Sequence, residues 1–521
     1  MPPRPIRRPS TGKRALVAAA GAAAAILAAR AIFALPPRHA PPSRALPAPD
    51  HGPLAEAITA RAAAHPGLTG IARLADGPPA FAARMLLADA AIRSIDAQYY
   101  IWARDLTGLL LLDAIRRAAD RGVRVRLLLD DNGIDGLDPH LARLAAHPHV
   151  EIRLWNPFNP RRPKRCAYLF DFPRLNRRMH NKSFTVDGTA TVVGGRNIGD
   201  EYFGTGERAL YVDRDVFAAG AAVNEVSAAF DAYWRAPSAH PAAPILGPPP
   251  DGDPIRADLD CVLAGDQWRT YEAELTTSPL VRDLASGKAP FEWVRTATLA
   301  DDPAKGEGRA PRVGLLAHRL HGAVGGVRER LDAVSPYFVP GRAGCEAFAG
   351  MARRGVRVRI LTNALEATDV LPVHAGYARY RPQLLRAGVR LFELRRDPGA
   401  RHKGGRRPLE VIGASASSLH AKTFAVDGLR AYVGSFNFDP RSTNINTEMG
   451  LLIDSARLAG EIHGAFDDDL RGPGYEVFLH RGRLHWRDLA SGGVSDVEPG
   501  AAPLKGAALT VLRQLPVEWL L

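Results

Sequence analysis

The chain has 521 residues, 46% of them hydrophobic and 24% charged. At roughly 150 residues per domain this is about three units with ample core, which excludes a disordered tail protein. With 68 basic against 55 acidic residues the net charge is +13, favouring anionic partners: nucleic acid, a phospholipid surface or a phosphate ester. Cys166, Cys261 and Cys345 lie far apart with no CxxC pair, which argues against a zinc scaffold or a disulfide framework. Only eight basic residues are lysine, at 13, 164, 182, 288, 305, 403, 422 and 505, so a lysine at a patterned position carries information.

The N-terminus opens with Arg4, Arg7, Arg8, Lys13 and Arg14, then an unbroken small and apolar run from Ala15 to Ala29. Arg30 interrupts it, and Ala31–Leu35 is apolar again. A basic flank before an apolar core reads as a secretory signal or a signal-anchor. The basic end stays cytoplasmic under the positive-inside rule, which places the rest of the chain across the membrane. A Pro/Ala-rich lead-in follows.

Further along, the chain repeats itself. Arg121–Leu128 (RGVRVRLL) and Arg354–Leu361 (RGVRVRIL) match at seven of eight positions. Each alternates charged and apolar residues, the period of a strand. Each follows an apparent helix (Leu109–Asp120; Cys345–Arg353) and, before that, an apolar strand (Ser94–Trp102; Leu331–Val339). Strand, helix, strand implies parallel pairing. A second pair matches without a gap: His180–Asn197 (HNKSFTVDGTATVVGGRN) and His420–Asn437 (HAKTFAVDGLRAYVGSFN). The expected architecture is α/β: two similar halves, each a mixed, largely parallel sheet flanked by helices, with one site at a pseudo-twofold interface. The chain divides into an N-terminal segment 1–36, a lead-in 37–75, a first half 76–236, a Pro-rich linker 237–256, a second half 257–470 and an extension 471–521. Within that extension, Glu476–Arg487 reads as a hairpin around Arg481-Gly482, and 507–515 as a helix.

The longer repeat carries the chemistry. On a strand, residues i and i+2 share a face, so His180 points with Lys182 and His420 with Lys422. Asp187-Gly188 and Asp427-Gly428 are hairpin turns. Gly194-Gly195 and Gly434-Ser435 are small residues where backbone approaches a ligand. A duplicated hairpin core accounts for Phe184/Phe424 and Val186/Val426. It does not account for paired His and Lys, because buried Lys is rare without a partner. Protonated lysine suits a phosphate and is a poor metal ligand, so the constellation suits an anion with no metal or cofactor. One His attacks, the other protonates the leaving group, and the lysines with Asn197 and Asn437 hold the phosphoryl oxygens.

These residues resemble the duplicated HxKxxxxD(x)6GGxN / HxKxxxxD(x)6GSxN signature of the phospholipase D superfamily, over roughly residues 80–455. Within it, SIDAQYYIWARDLTG, RLLLDDNGIDGLD, GSFNFDPRSTNINTEMGLLID and the terminal LPVEWLL are similar to bacterial cardiolipin synthases of the subgroup joining phosphatidylglycerol to phosphatidylethanolamine. The resemblance implies a phosphohistidine intermediate, with His180 as nucleophile and His420 as general acid and then base. It counts Asp187 and Asp427 in the catalytic signature, although their strand parity opposes that of the histidines and favours a structural part. It also implies one acidic residue orienting each His. By position these are Asp215 for His180 and Glu448 for His420, with Asp213 the competitor of Asp215; aligning Val216 with Met449 selects Asp215. Gly195 stands where the second repeat has Ser435, which is able to donate a hydrogen bond to phosphate, so the half-sites need not be equivalent.

Basic loops precede both histidines: Arg161, Arg162, Lys164, Arg165, Arg174, Arg177 and Arg178 before His180, and Arg395, Arg396, Arg401, Lys403, Arg406 and Arg407 before His420. The first also holds Trp155, Phe158, Tyr168, Leu169, Phe170, Phe172 and Leu175. Such mixtures suit a lipid interface or a nucleic-acid groove, and core packing accounts for part of them. The expected partners are phospholipids and a membrane rather than nucleic acid, at the bacterial inner membrane with the catalytic part on the periplasmic side. A phospholipase D that hydrolyses or exchanges headgroups, an exported metal-independent nuclease and an inert lipid-binding scaffold are the competing functions.

Overall fold

The structure is a computed structural model describing residues 11–39, 41–204, 213–264, 286–368, 370–395, 419–467 and 474–502, with a few isolated positions besides. The basic run 396–407 and the terminal segment 513–521 lie outside the described residues, as does most of the expected terminal helix 507–515. Among the described residues, nine strands form the first sheet: β1 Thr69–Leu74, β2 Ser94–Tyr99, β3 Arg124–Asp130, β4 Val150–Trp155, β5 Ser183–Val186, β6 Ala190–Gly194, β7 Asp215–Gly220, β8 Ala239–Pro241 and β9 Glu292–Val294, in the order β8-β4-β3-β2-β5-β6-β7-β1-β9. Ten form the second: β10 Thr296–Ala300, β11 Arg330–Val334, β12 Arg357–Asn363, β13 Arg390–Leu394, β14 Thr423–Val426, β15 Arg430–Gly434, β16 Met449–Ile453, β17 Gly474–His480, β18 Arg483–Asp488 and β19 Val494–Ser495, in the order β10-β16-β15-β14-β11-β12-β13-β17-β18-β19.

The duplication is a repeated topology. In each half three strands pair in parallel (β2-β3-β4; β11-β12-β13), and the first of them receives the His-Lys hairpin antiparallel (β5-β6; β14-β15). Among the named strands of the described residues, parallel pairing is confined to these triplets, with isolated parallel bridges at Trp102–Ile198, Met179–Thr447 and Phe338–Phe438 besides. The sheets are mixed as expected but mostly antiparallel, because tight Asp-Gly turns can only join antiparallel strands. Helices Leu106–Asp120 and Gly341–Arg353 are the crossovers. The second arginine of each VRVR repeat points inward: Arg126 forms a fork with Asp96 (2.7 and 2.7 Å), and Arg359 with Asp332 (2.7 and 2.8 Å).

The division between halves is later than the Pro-rich stretch implies. β8 lengthens the first sheet beside β4, and β9 pairs with β1; one residue later β10 has joined the second sheet beside β16. The prolines mark turns here because unpaired edges tolerate them. The Arg481-Gly482 hairpin is present, both residues having positive φ, and β17 pairs with β13 as β8 pairs with β4. The lead-in is also no free linker: Ala45 donates to Asp231, and Trp234 Nε1 to Ser43. Between the halves, Ile71, Val193, Val216 and Ala218 pack against Ala425, Val433, Met449 and Leu451, so the hairpins face each other. Ahead of this body runs the helix Thr11–Ile32, whose apolar window Ala15–Ile32 has a mean hydropathy of 2.0 and is unburied. At 1.5 Å per residue, 22 residues reach about 33 Å, enough to cross a bilayer.

Candidate active site

His180, Lys182, His420 and Lys422 lie just before the first strands of their hairpins, β5 and β14, and all are largely buried. The charges of both Lys182 and Lys422 act on each imidazole, so the two motifs share one site. Each lysine donates to the carbonyl of its own histidine, Lys182 at 2.7 Å and Lys422 at 2.5 Å. Lys422 Nζ also lies 3.3 Å from Nε2 of His420. Tyr100 presents an edge-on ring to His180 (4.9 Å between centroids), and Tyr202 to His420 (5.1 Å).

The orienting carboxylates cross between the halves. His180 Nδ1 donates to Glu448 Oε2 at 2.8 Å, and His420 Nδ1 to Asp213 Oδ2 at 2.7 Å. This corrects two sequence assignments. Glu448 serves the histidine of the other repeat, and the residue serving His420 is Asp213 rather than Asp215. The register explains the second point: Gly194 sits opposite Asp215, while Gly434 sits opposite Gly450, so Asp215 is equivalent to Gly450 and Asp213 to Glu448. Asp215 instead pairs with Arg84 at 2.8 Å inside the first half, both side chains buried. The crossing follows from the packing: β6 and β7 lie against β15 and β16, so a residue just before β7 or β16 reaches into the opposite half. Thr447 is joined there by main chain, its carbonyl accepting from His180 N (2.9 Å) and its amide donating to Arg178 O (3.0 Å).

The two carboxylates live differently. Glu448 accepts the Ser435 hydroxyl at 2.5 Å on Oε2 and the Ser442 hydroxyl at 2.8 Å on Oε1, and burial pushes its carboxyl up to about 7. Ser435 is thus committed to Glu448 rather than free for phosphate. Gly195 is needed for the other dyad, since a Cβ there would stand 2.3 Å from Asp213 Oδ1. Burial opposes the charge of Asp213, yet the His420 hydrogen bond and the charges of Lys422 and Arg196 hold it well below the usual carboxylate range. Both imidazoles are held neutral, by burial first and then by the lysines: His180 well below its ordinary value, His420 down to about 3. Lys182 is likewise lowered well below its ordinary value, by burial and then by Lys422.

Of the remaining expected residues, Asn197 accepts Ile101 N (3.2 Å) while its buried Nδ2 lacks a protein partner. In Asn437 the buried atom without one is Oδ1. The Asn197 Nδ2 is a donor and so able to meet an anion, whereas the Asn437 Oδ1 is an acceptor and is not. Asp187 and Asp427 turn away from the histidines. Asp187 accepts the amides of Ile92, Arg93 and Ser94, and Asp427 those of Arg328, Glu329 and Arg330, each pinning a turn to the start of β2 or β11. Ser442, Tyr100 and Tyr202 were invisible to motif reasoning, because no repeat places them. Lys305 had a signal in the rarity of lysine: it is buried, donates to Asp301 (2.8 Å), and the same Asp301 oxygen accepts Glu448 N (2.8 Å).

Residues 86–234 and 319–470 match the family model described as cardiolipin synthase, PLD-like domain. The chain is 46% identical over 475 residues to cardiolipin synthase C of Escherichia coli (strain K12), spanning 90% of this chain and 99% of that one. It is 26% identical over 386 residues to the cardiolipin synthase of Staphylococcus aureus (strain N315), spanning 72% and 62%. The crystal structure of a phosphatidylserine synthase from Haemophilus influenzae Rd KW20 shares the fold, with a TM-score of 0.51 over 80% of this chain and 91% of that one at 16% identity. With two crossed His–carboxylate dyads on a duplicated fold, and with this similarity along nearly its whole length, the chain belongs to the cardiolipin synthase family of phospholipase D-like proteins.

Proposed function

We propose that the protein is a membrane phosphatidyltransferase that makes cardiolipin from phosphatidylglycerol and a second phospholipid, phosphatidylethanolamine, through a phosphohistidine. The crossed dyads carry this reading. Each Nδ1 is engaged by a carboxylate, so each neutral imidazole has Nε2 for chemistry. With the anionic phosphodiester bound beside Asp213, His420 takes up a proton on Nε2 as the imidazolium; His180 Nε2 attacks the donor phosphorus, and the departing headgroup oxygen takes that Nε2 proton, returning His420 to the neutral form. The phosphatidyl group is then bonded to His180. His420 next removes the proton from a hydroxyl of the acceptor, whose oxygen attacks phosphorus and frees His180. Because cardiolipin joins two phosphatidyl groups through a glycerol, the acceptor is phosphatidylglycerol. With phosphatidylethanolamine as donor, ethanolamine leaves. Lys182, Lys422 and Asn197 stabilise the oxygens of the transferring group. The strongly anionic Asp213 favours His420 as the residue that becomes imidazolium, leaving His180 as nucleophile. The Thr11–Ile32 helix anchors the chain in the inner membrane, with the catalytic body on the periplasmic side.

The test is detergent-purified protein with phosphatidylglycerol alone and then with headgroup-labelled phosphatidylethanolamine, products read by mass spectrometry beside a His180→Ala control. Cardiolipin with stoichiometric labelled ethanolamine is expected. Phosphatidic acid alone would make the protein a phospholipase, and cardiolipin with free glycerol would make phosphatidylglycerol the donor.

A further inference from the structure

We propose that the short helix Tyr168–Leu175 is a second, shallow membrane contact that seats the approach to His180 on an anionic phospholipid bilayer. This rests on the Thr11–Ile32 helix lying in the bilayer and not on the identity of the reaction. The aromatic residues before His180 sort into two sets. Trp155, Phe158 and Leu175 are buried, whereas Leu169 is 80% exposed and Phe172 39%. Leu169 and Phe172 stand on either side of a kink at Asp171.

Isolated exposed apolar residues mean little. These adjoin the point where the apolar helix ends. Arg30 Nε donates to Phe170 O at 2.6 Å, Phe33 stacks on Phe170 at 5.5 Å, and Asn159 Nδ2 donates to Ala34 O at 3.1 Å. The end of a spanning helix lies at headgroup depth, so a helix fastened to it lies there too. Arg162 and Arg165 are exposed just upstream, matching anionic headgroups in sign. Tyr168, at the start of the helix, faces the site. Tyr168 meets Phe158 edge-on and lies in the field of Arg178, Asp130 and Arg441, the same charges that surround Tyr100 against His180. Arg441 donates to Asn176 O (2.7 Å), tying this segment to the second half one residue from Ser442. A lipid drawn up at Leu169 and Phe172 therefore enters beside His180.

The experiment uses the full chain in proteoliposomes containing phosphatidylglycerol. An environment-sensitive dye is placed at Leu169→Cys in a Cys166→Ser/Cys261→Ser background, Cys345 being buried, and at Val494→Cys as a control on the far edge strand. Blue-shifted emission at position 169, quenched more by lipid spin-labelled near the headgroup than near the chain end, is expected. Water-like, unquenched emission equal to that at 494 would overturn the proposal. So would a blue shift that follows protein-to-lipid ratio without lipid quenching, which would mean that a second copy covers this face. A Leu169→Ser/Phe172→Ser variant should lose about tenfold in kcat/KM on bilayer lipid and little on a dispersed short-chain phospholipid. Equal loss on both would overturn it. Absent phosphatidyl transfer in every variant would count against the proposed reaction while the quenching result stands.

Discussion

The two half-sites share a hairpin and differ in what surrounds the orienting carboxylate. Beside His180, Glu448 reaches across the interface and is held by two serine hydroxyls, in surroundings that raise its proton affinity. Beside His420, the shorter Asp213 passes over Gly195 and is held strongly anionic. Duplication supplies two equivalent imidazoles; a glycine in one repeat and a serine in the other make them unequal. Inequality is what a two-step transfer needs, because one histidine must bond to phosphorus while the other moves protons.

The sharpest way to break this comparison is to remove each histidine. His180→Ala and His420→Ala should each lower turnover on natural lipid by on the order of 10⁴-fold. With a phosphatidyl ester of a good leaving group, His420→Ala should still form a covalent phosphatidyl-enzyme, visible by intact-protein mass spectrometry, and His180→Ala should not. Label in the His180 variant alone would reverse the roles.

Next come the carboxylates. Glu448→Gln and Asp213→Asn should each cost about 10²- to 10⁴-fold in kcat. They should differ in pH profile. Glu448 must be ionised to accept the Nδ1 proton of His180, and its carboxyl titrates near 7. So kcat/KM should rise as pH increases through about 7, and this acid limb should vanish in Glu448→Gln but persist in Asp213→Asn. A profile flat from pH 5 to 8 would remove the distinction between the dyads.

Smaller effects separate structure from chemistry. Asp215→Asn leaves Arg84 buried beside a neutral amide, costing about 3–5 kcal/mol in unfolding free energy with the activity of folded molecules retained. Were Asp215 the orienting residue, activity would fall instead. Asp187→Ala should cost about 1–3 kcal/mol and Asp427→Ala less, because the amides Asp187 holds are more buried than those Asp427 holds. Denaturant midpoints would rank the two.

The sequence by itself determined the duplicated α/β architecture, the two His-Lys pairs, the Asp-Gly turns and the apolar N-terminal helix. Each is local: a period, a spacing or a turn chemistry that neighbouring residues dictate. Asp187 and Asp427 were legible as structural for the same reason, since strand parity is a local property. Only the tertiary structure decided which carboxylate meets which histidine. Asp213 and Asp215 share parity and charge, and only the pairing of Gly194 with Asp215 tells them apart. The crossing of Glu448 to His180 depends on how two sheets pack face to face, which no repeat encodes. The same holds for Ser435, turned from phosphate to Glu448, and for the basic aromatic segment, whose buried members Trp155, Phe158 and Leu175 and exposed members Leu169 and Phe172 are told apart only by what packs over them.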